Sequence, residues 1–126
     1  MKHWRRIEDP KVGARAWLLS ANFGRWLWRK EVKVIGLFRD GVTADVEAGT
    51  WSRQVFIHHL DCGREFRTAG GEWIPETDDR VRRWLIKAIK DIDAGGSRVI
   101  EPKDELNREY IRDDLYWVLR RNGWKL

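Results

Sequence analysis

The sequence predicts an α+β fold in a single compact domain, residues 1–126: an N-terminal helix, a three- to four-stranded antiparallel meander, and two C-terminal helices packed on one sheet face. Three observations carry this expectation. Apolar residues recur at helical spacing after Asp9-Pro10, at a period of two on both sides of Asp40-Gly41, and at helical spacing again over 81–92 and 111–119.

Asp9 followed by Pro10 reads as an N-cap and a first helical position, and Val12, Ala16, Leu19 and Phe23 follow at helical spacing before Gly24. Gly13 weakens that pattern, and a strand over 9–23 is the alternative. From Glu31 the period changes to two. Asp40-Gly41 is a two-residue hairpin signal, so 32–38 and 42–47 are expected to pair. With Asp40-Gly41 as the whole loop, Leu37 faces Ala44 and Ile35 faces Val46 on an apolar face, while Val34 and Phe38 lie opposite with Thr43, Asp45 and Glu47. A third strand is expected over 52–60 and a short fourth over 64–68.

Thr77 is the expected N-cap of the next helix. Asp78 and Asp79 stand in its first turn, Val81, Trp84, Leu85, Ala88, Ile89 and Ile92 mark one face, and Gly95-Gly96 ends it. The last helix is expected from Pro102 or Asp104 to Asn122, stopped by Gly123, with Trp124 against Leu119 in a Schellman-type cap.

Composition bounds the function. Hydrophobic residues make up 42% and charged residues 36%, and no run approaches the roughly 18 apolar residues of a membrane helix. No secretory leader follows the basic start, and the single cysteine, Cys62, excludes an intrachain disulfide, so a reducing, cytoplasmic setting is expected. Nine tryptophans stand where an average chain of this size holds about two, which favours recognition surfaces or a core of large residues. Charge is uneven: residues 1–40 carry ten Lys/Arg against four Asp/Glu, residues 41–76 three against six, and residues 77–126 twelve against ten.

Few constellations suggest chemistry. His58-His59-Leu60-Asp61-Cys62 concentrates metal-capable side chains, but on a strand adjacent histidines point to opposite faces, so no metal site is expected. Asp9 with Glu31-Val32-Lys33 fits a metal-nuclease spacing only loosely, and no glycine-rich phosphate loop follows a strand, so no cofactor is expected. Arg80, Arg83, Lys87 and Lys90 form a cationic stripe on the first C-terminal helix, a candidate nucleic-acid surface. Phe38, Phe56 and His58 share a sheet face as a stacking platform, but Asp45 and Glu47 on the same face repel phosphate and favour a protein contact. On the last helix Leu106, Tyr110 and Trp117 gather away from the core stripe, bordered by Asp114 and Arg121, as a candidate partner or homodimer surface.

The leading reading is a small non-enzymatic binding protein, an inhibitor or adaptor, that docks on a protein partner through Trp/Tyr anchors ringed by arginine. The 17 Arg to 8 Lys bias and short length give it the compositional style of phage or mobile-element accessory proteins. A nucleic-acid-binding module using the basic N-terminal third and the 80–90 stripe is the alternative, and an enzyme is third.

Overall fold

The computed structural model describes the backbone of residues 3–22 and 25–126, and the side chains of 4–19 and 30–126. Among the described residues eight strands precede two α-helices. The strands are β1 (His3–Arg6), β2 (Arg15–Asn22), β3 (Arg25–Leu37), β4 (Thr43–Ala48), β5 (Trp51–Phe56), β6 (Leu60–Asp61), β7 (Arg64–Arg67) and β8 (Trp73–Pro75), and the helices are α1 (Asp79–Asp93) and α2 (Arg108–Arg121). Short 3-10 helices occupy Ile57–His59 and Pro102–Asn107. The chain divides into two compact units: Arg5–Arg64, and Glu65–Leu126 joined by the start of the chain up to Trp4.

The N-terminal helix expected over 9–23 is replaced by a strand. β2 lies inside a five-stranded antiparallel sheet of order β5-β4-β3-β2-β6, pairing with β3 from Arg15↔Lys33 to Asn22↔Arg25 and with β6 through Trp17↔Asp61 and Leu18↔Leu60. Non-local pairing overrides the local helical spacing. Gly13 adopts φ +90 and donates its N–H to the Val34 carbonyl at 2.7 Å, a backbone state no helix continues through. Val12, the first residue of the supposed apolar stripe, is 61% exposed, whereas Ala16 and Leu18 are buried at a period of two. Phe23 and Gly24 lie outside the described residues.

The hairpin over Asp40-Gly41 forms with Leu37↔Ala44 paired as expected, but a bulge between Val34 and Gly36 shifts the register deeper in the ladder. Val34, not Ile35, faces Val46; Val34 is fully buried and Ile35 is 40% exposed. The core of this unit is Ala16, Leu18, Val32, Val34, Ala44, Val46, Val55 and Leu60, with Trp51 and Ile57 against it. Val55 pairs with Ala44 on that face. The strand expected over 52–60 ends at Phe56, because the chain turns through the 3-10 helix before β6.

The fourth strand of the expected meander, β7, belongs instead to a three-stranded sheet of order β1-β7-β8. The two C-terminal helices, expected to build their core on the meander, build it with this small sheet: Phe66 of β7 and Ile74 of β8 join Val81, Leu85, Ala88, Ile89 and Ile92 of α1 and Leu115, Val118 and Leu119 of α2. Asp78, not Thr77, caps α1, its carboxylate accepting from the Arg80 N–H at 2.9 Å. The Arg80 side chain and N–H hold the Asp78 carboxyl down at about 2. α2 begins only at Arg108, after the 3-10 helix, and closes as the sequence suggests: Gly123 takes φ +77 and the Trp124 N–H reaches the Leu119 carbonyl at 3.2 Å.

Candidate binding site

The site builds from the end of the meander where the β3–β4 turn meets the 3-10 helix. Asp40 shapes the turn: its carboxylate accepts from the N–H groups of Val42 and Thr43 at 2.9 and 3.0 Å and from the Thr43 hydroxyl at 2.7 Å. The Thr43 hydroxyl, then the Val42 N–H, hold that carboxyl below its ordinary range. Val42 is thereby presented at the tip, 53% exposed. Its carbonyl accepts the Ile57 N–H at 2.8 Å, which fastens the 3-10 helix to the turn.

Arg6 fixes the other side. Its guanidinium donates to the carbonyl of His58 at 3.4 Å and to that of Leu60, while the Ile7 N–H donates to the Gly63 carbonyl at 2.9 Å. Between these elements lies a cleft of about 320 Å³ with aliphatic walls from Ile7, Val42, Ile57 and Leu60, and with Arg6, Glu8 and His58 as its polar groups. That volume is at the lower end of ligand pockets and suits one side chain or a short peptide turn better than a cofactor. At the same end of the sheet Leu37, Phe38 and Phe56 are 47%, 40% and 53% exposed.

Phe38 and Phe56 flank Thr43 on the outer sheet face: the Phe38 N–H donates to the Thr43 carbonyl, and Thr43 pairs with Phe56. Phe56 stacks on His58 with centroids 5.6 Å apart, so the grouping of Phe38, Phe56 and His58 suggested by the sequence lies at one end of the sheet. The two histidines are not on a strand. The 3-10 turn brings their rings within 4.1 Å instead of onto opposite faces. Among the described residues no group of three or more His, Cys, Asp or Glu is placed to hold a metal ion.

Burial first, then the charges of His58 and Arg6, push the His59 imidazole below its ordinary 6.5. A base whose folded pKa is depressed binds its proton more readily in the unfolded chain. The stability it contributes is therefore complete above 6.5 and is lost as the pH falls through the lowered folded value. Urea midpoints measured from about pH 7 down to pH 5 are expected to fall in the wild type and to fall less in His59→Gln. Equal slopes would contradict the assignment.

The other residues singled out by the sequence land elsewhere. In the cationic stripe, Arg80 is tied to Asp78 at 2.9 Å and faces Glu72 at 3.9 Å, and Arg83 pairs with Asp79 at 3.4 Å, while Lys87 and Lys90 are exposed further along α1. Leu106 sits on the 3-10 helix and is 96% exposed, but Tyr110 and Trp117 are half-buried and Trp117 packs against the helical core. Arg121, expected at an interface rim, has a side chain only 1% exposed and grips Glu76 at 2.8 Å, with its guanidinium over the Trp117 ring at 5.6 Å. Leu106, Tyr110, Trp117 and Arg121 therefore do not form one exposed patch. The 3-10 turn takes Leu106 off the helical wheel, and α2 is covered on more than its core stripe.

Each of the seven described tryptophans is half-buried and none is fully exposed. Several carry a cation on the ring, such as Arg15 over Trp17 at 5.0 Å and Lys30 over Trp51 at 4.5 Å. Sequence reasoning missed the aliphatic cleft, because Ile7, Val42, Ile57 and Leu60 are brought together only by the pairing of distant segments. Among the described residues no helix is long and apolar enough to cross a membrane. Comparison with protein-family models, with curated proteins and with solved structures gives no match to this chain.

Proposed function

We propose that this chain is a non-enzymatic binding protein that docks a segment of a protein partner on the open end of its meander. An aliphatic or aromatic side chain of the partner enters the cleft beside Val42, and the segment runs past the exposed tip of the turn. The observation that carries this reading is the aliphatic cleft walled by Ile7, Val42, Ile57 and Leu60, with Val42 53% exposed at its tip. An exposed aliphatic concavity of this kind favours a partner, because folded chains otherwise keep contiguous apolar surface small. Arg6 and Glu8 put both signs of charge at the cleft, which favours a partner segment with polar residues beside its apolar anchor. The nucleic-acid alternative is weaker on the same grounds: half of the stripe on α1 is already paired with carboxylates, and Asp45 and Glu47 stand on the outer face of the sheet.

The test is a peptide array in which apolar and polar positions are varied systematically, read by fluorescence anisotropy of the strongest sequences. Val42→Asp is expected to weaken those peptides by about tenfold or more while leaving the melting temperature unchanged, since Val42 is already half in water. Peptides bound equally by wild type and Val42→Asp would refute the docking site. Salt-sensitive binding of oligonucleotides, lost on charge reversal of Arg83 and Lys87, would replace it with the alternative.

A further inference from the structure

The five-stranded sheet ends on one side at β5, and among the described residues no strand pairs with its outer edge. Its hydrogen-bond phase is fixed by the Ile57 N–H on the Val42 carbonyl and by the register Thr43↔Phe56 to Ala48↔Trp51. Bonded pairs alternate in an antiparallel ladder, so Val55, Arg53 and Trp51 turn their N–H and C=O groups inward to β4, while Ser52, Gln54 and Phe56 turn theirs outward. Ser52, Arg53, Gln54 and Phe56 are all exposed.

Such an edge is normally blunted by brevity, proline, lysine or a bulge. The other described edge strands obey this: β6 has 2 residues, β1 has 4, and β8 has 3 and carries Pro75. β5 has 6 residues, contains neither proline nor lysine, and pairs with β4 without a register shift.

We propose that β5 pairs antiparallel with β5 of a second copy of this chain, about a two-fold axis through Gln54. Among the registers centred on Arg53, Gln54 and Val55, the one on Gln54 is self-complementary. Centred on Gln54, it sets Ser52 opposite Phe56 of the second copy and Arg53 opposite Val55, and every outward N–H and C=O of Ser52, Gln54 and Phe56 finds a partner. Centring on Arg53 would face two guanidiniums directly, which disfavours pairing. Centring on Val55 would set the outward groups of Ser52 opposite His58, inside the 3-10 helix, and leave them without a partner. The chosen register also gives the exposed Phe56 ring a cross-strand neighbour, and sets Trp51 opposite Ile57 on the other face.

This inference goes beyond the docking site and uses a different residue for its test. Light scattering or sedimentation across a wide concentration range is expected to give twice the 15.0 kDa chain mass for the wild type. Gln54→Pro is expected to give a monomer with an unchanged melt, because the N–H it removes points away from β4. Gln54→Lys and Gln54→Glu are each expected to dimerise several-fold more weakly, since like charges then face across the axis, and an equal mixture of the two is expected to re-form a heterodimer. A wild type that stays monomeric throughout, a dimer that survives Gln54→Pro, or a Lys/Glu mixture no tighter than its components overturns the proposal. If Gln54→Pro does not fold, the Lys/Glu pair decides alone. Peptide binding that is lost in Val42→Asp would stand in either case.

Discussion

Glu76→Ala is expected to destabilise the helical unit by about 3–5 kcal/mol, the cost of leaving a buried charge without its partner. Glu76 follows β8, and its carboxylate accepts from Arg121 Nε at 3.0 Å and from Arg121 Nη2 at 2.8 Å, with Asn122 Nδ2 at 3.3 Å. The two side chains are 10% and 1% exposed, so water cannot replace the lost carboxylate without opening the packing around α2. The sign of the effect depends on removing one partner only. Glu76→Leu with Arg121→Leu is expected to recover much of the loss, because a well-packed apolar pair removes both desolvation costs. Urea unfolding of the two single variants and the double variant checks this. A Glu76→Ala midpoint close to wild type would show that the pair is solvated in practice.

Phe66→Ala is the second large effect, again about 3–5 kcal/mol. Phe66 is fully buried on β7, with its ring 6.1 Å from Trp4 and 5.9 Å from Trp84. Truncation removes the transfer energy of the ring and leaves a void that two large indoles on different elements cannot close without moving backbone. The contrast with Phe38 tests the reasoning, since both are phenylalanines of the sheet regions. Phe38 is 40% exposed, and Phe38→Ala is expected to change stability by no more than about 0.5 kcal/mol. Comparable losses in the two variants would mean that exposure does not separate a packing residue from a surface one.

The sequence alone determined the elements whose causes lie within a few residues. α1 was legible because Val81, Leu85, Ala88, Ile89 and Ile92 recur at the helical period and all five are buried. The hairpin was legible because Asp40 bonds only as far as Thr43, and the end of α2 because Gly123 and Trp124 close onto carbonyls of the last helical turn. Phe38 and Phe56 could be grouped in advance because both lie across from Thr43 in the strand pairing, whereas His58 reaches Phe56 through the 3-10 turn and not by alternation.

Tertiary structure decided the rest. Residues 15–22 became a strand because pairing with β3 and β6 outweighs a local spacing that fitted a helix equally well. The bulge at Ile35 exchanged the faces of Ile35 and Val34, an outcome that alternation by itself cannot foresee. Arg121 passed from a supposed interface rim to a buried ion pair with a carboxylate 45 residues away. The aliphatic cleft likewise joins Ile7, Val42 and Leu60, none of which carries a local signal of being near the others. Capping, turn formation and helical amphipathicity are written in neighbouring residues. Strand order, register and the pairing of buried charges depend on which distant segments meet, and only the folded chain fixes that.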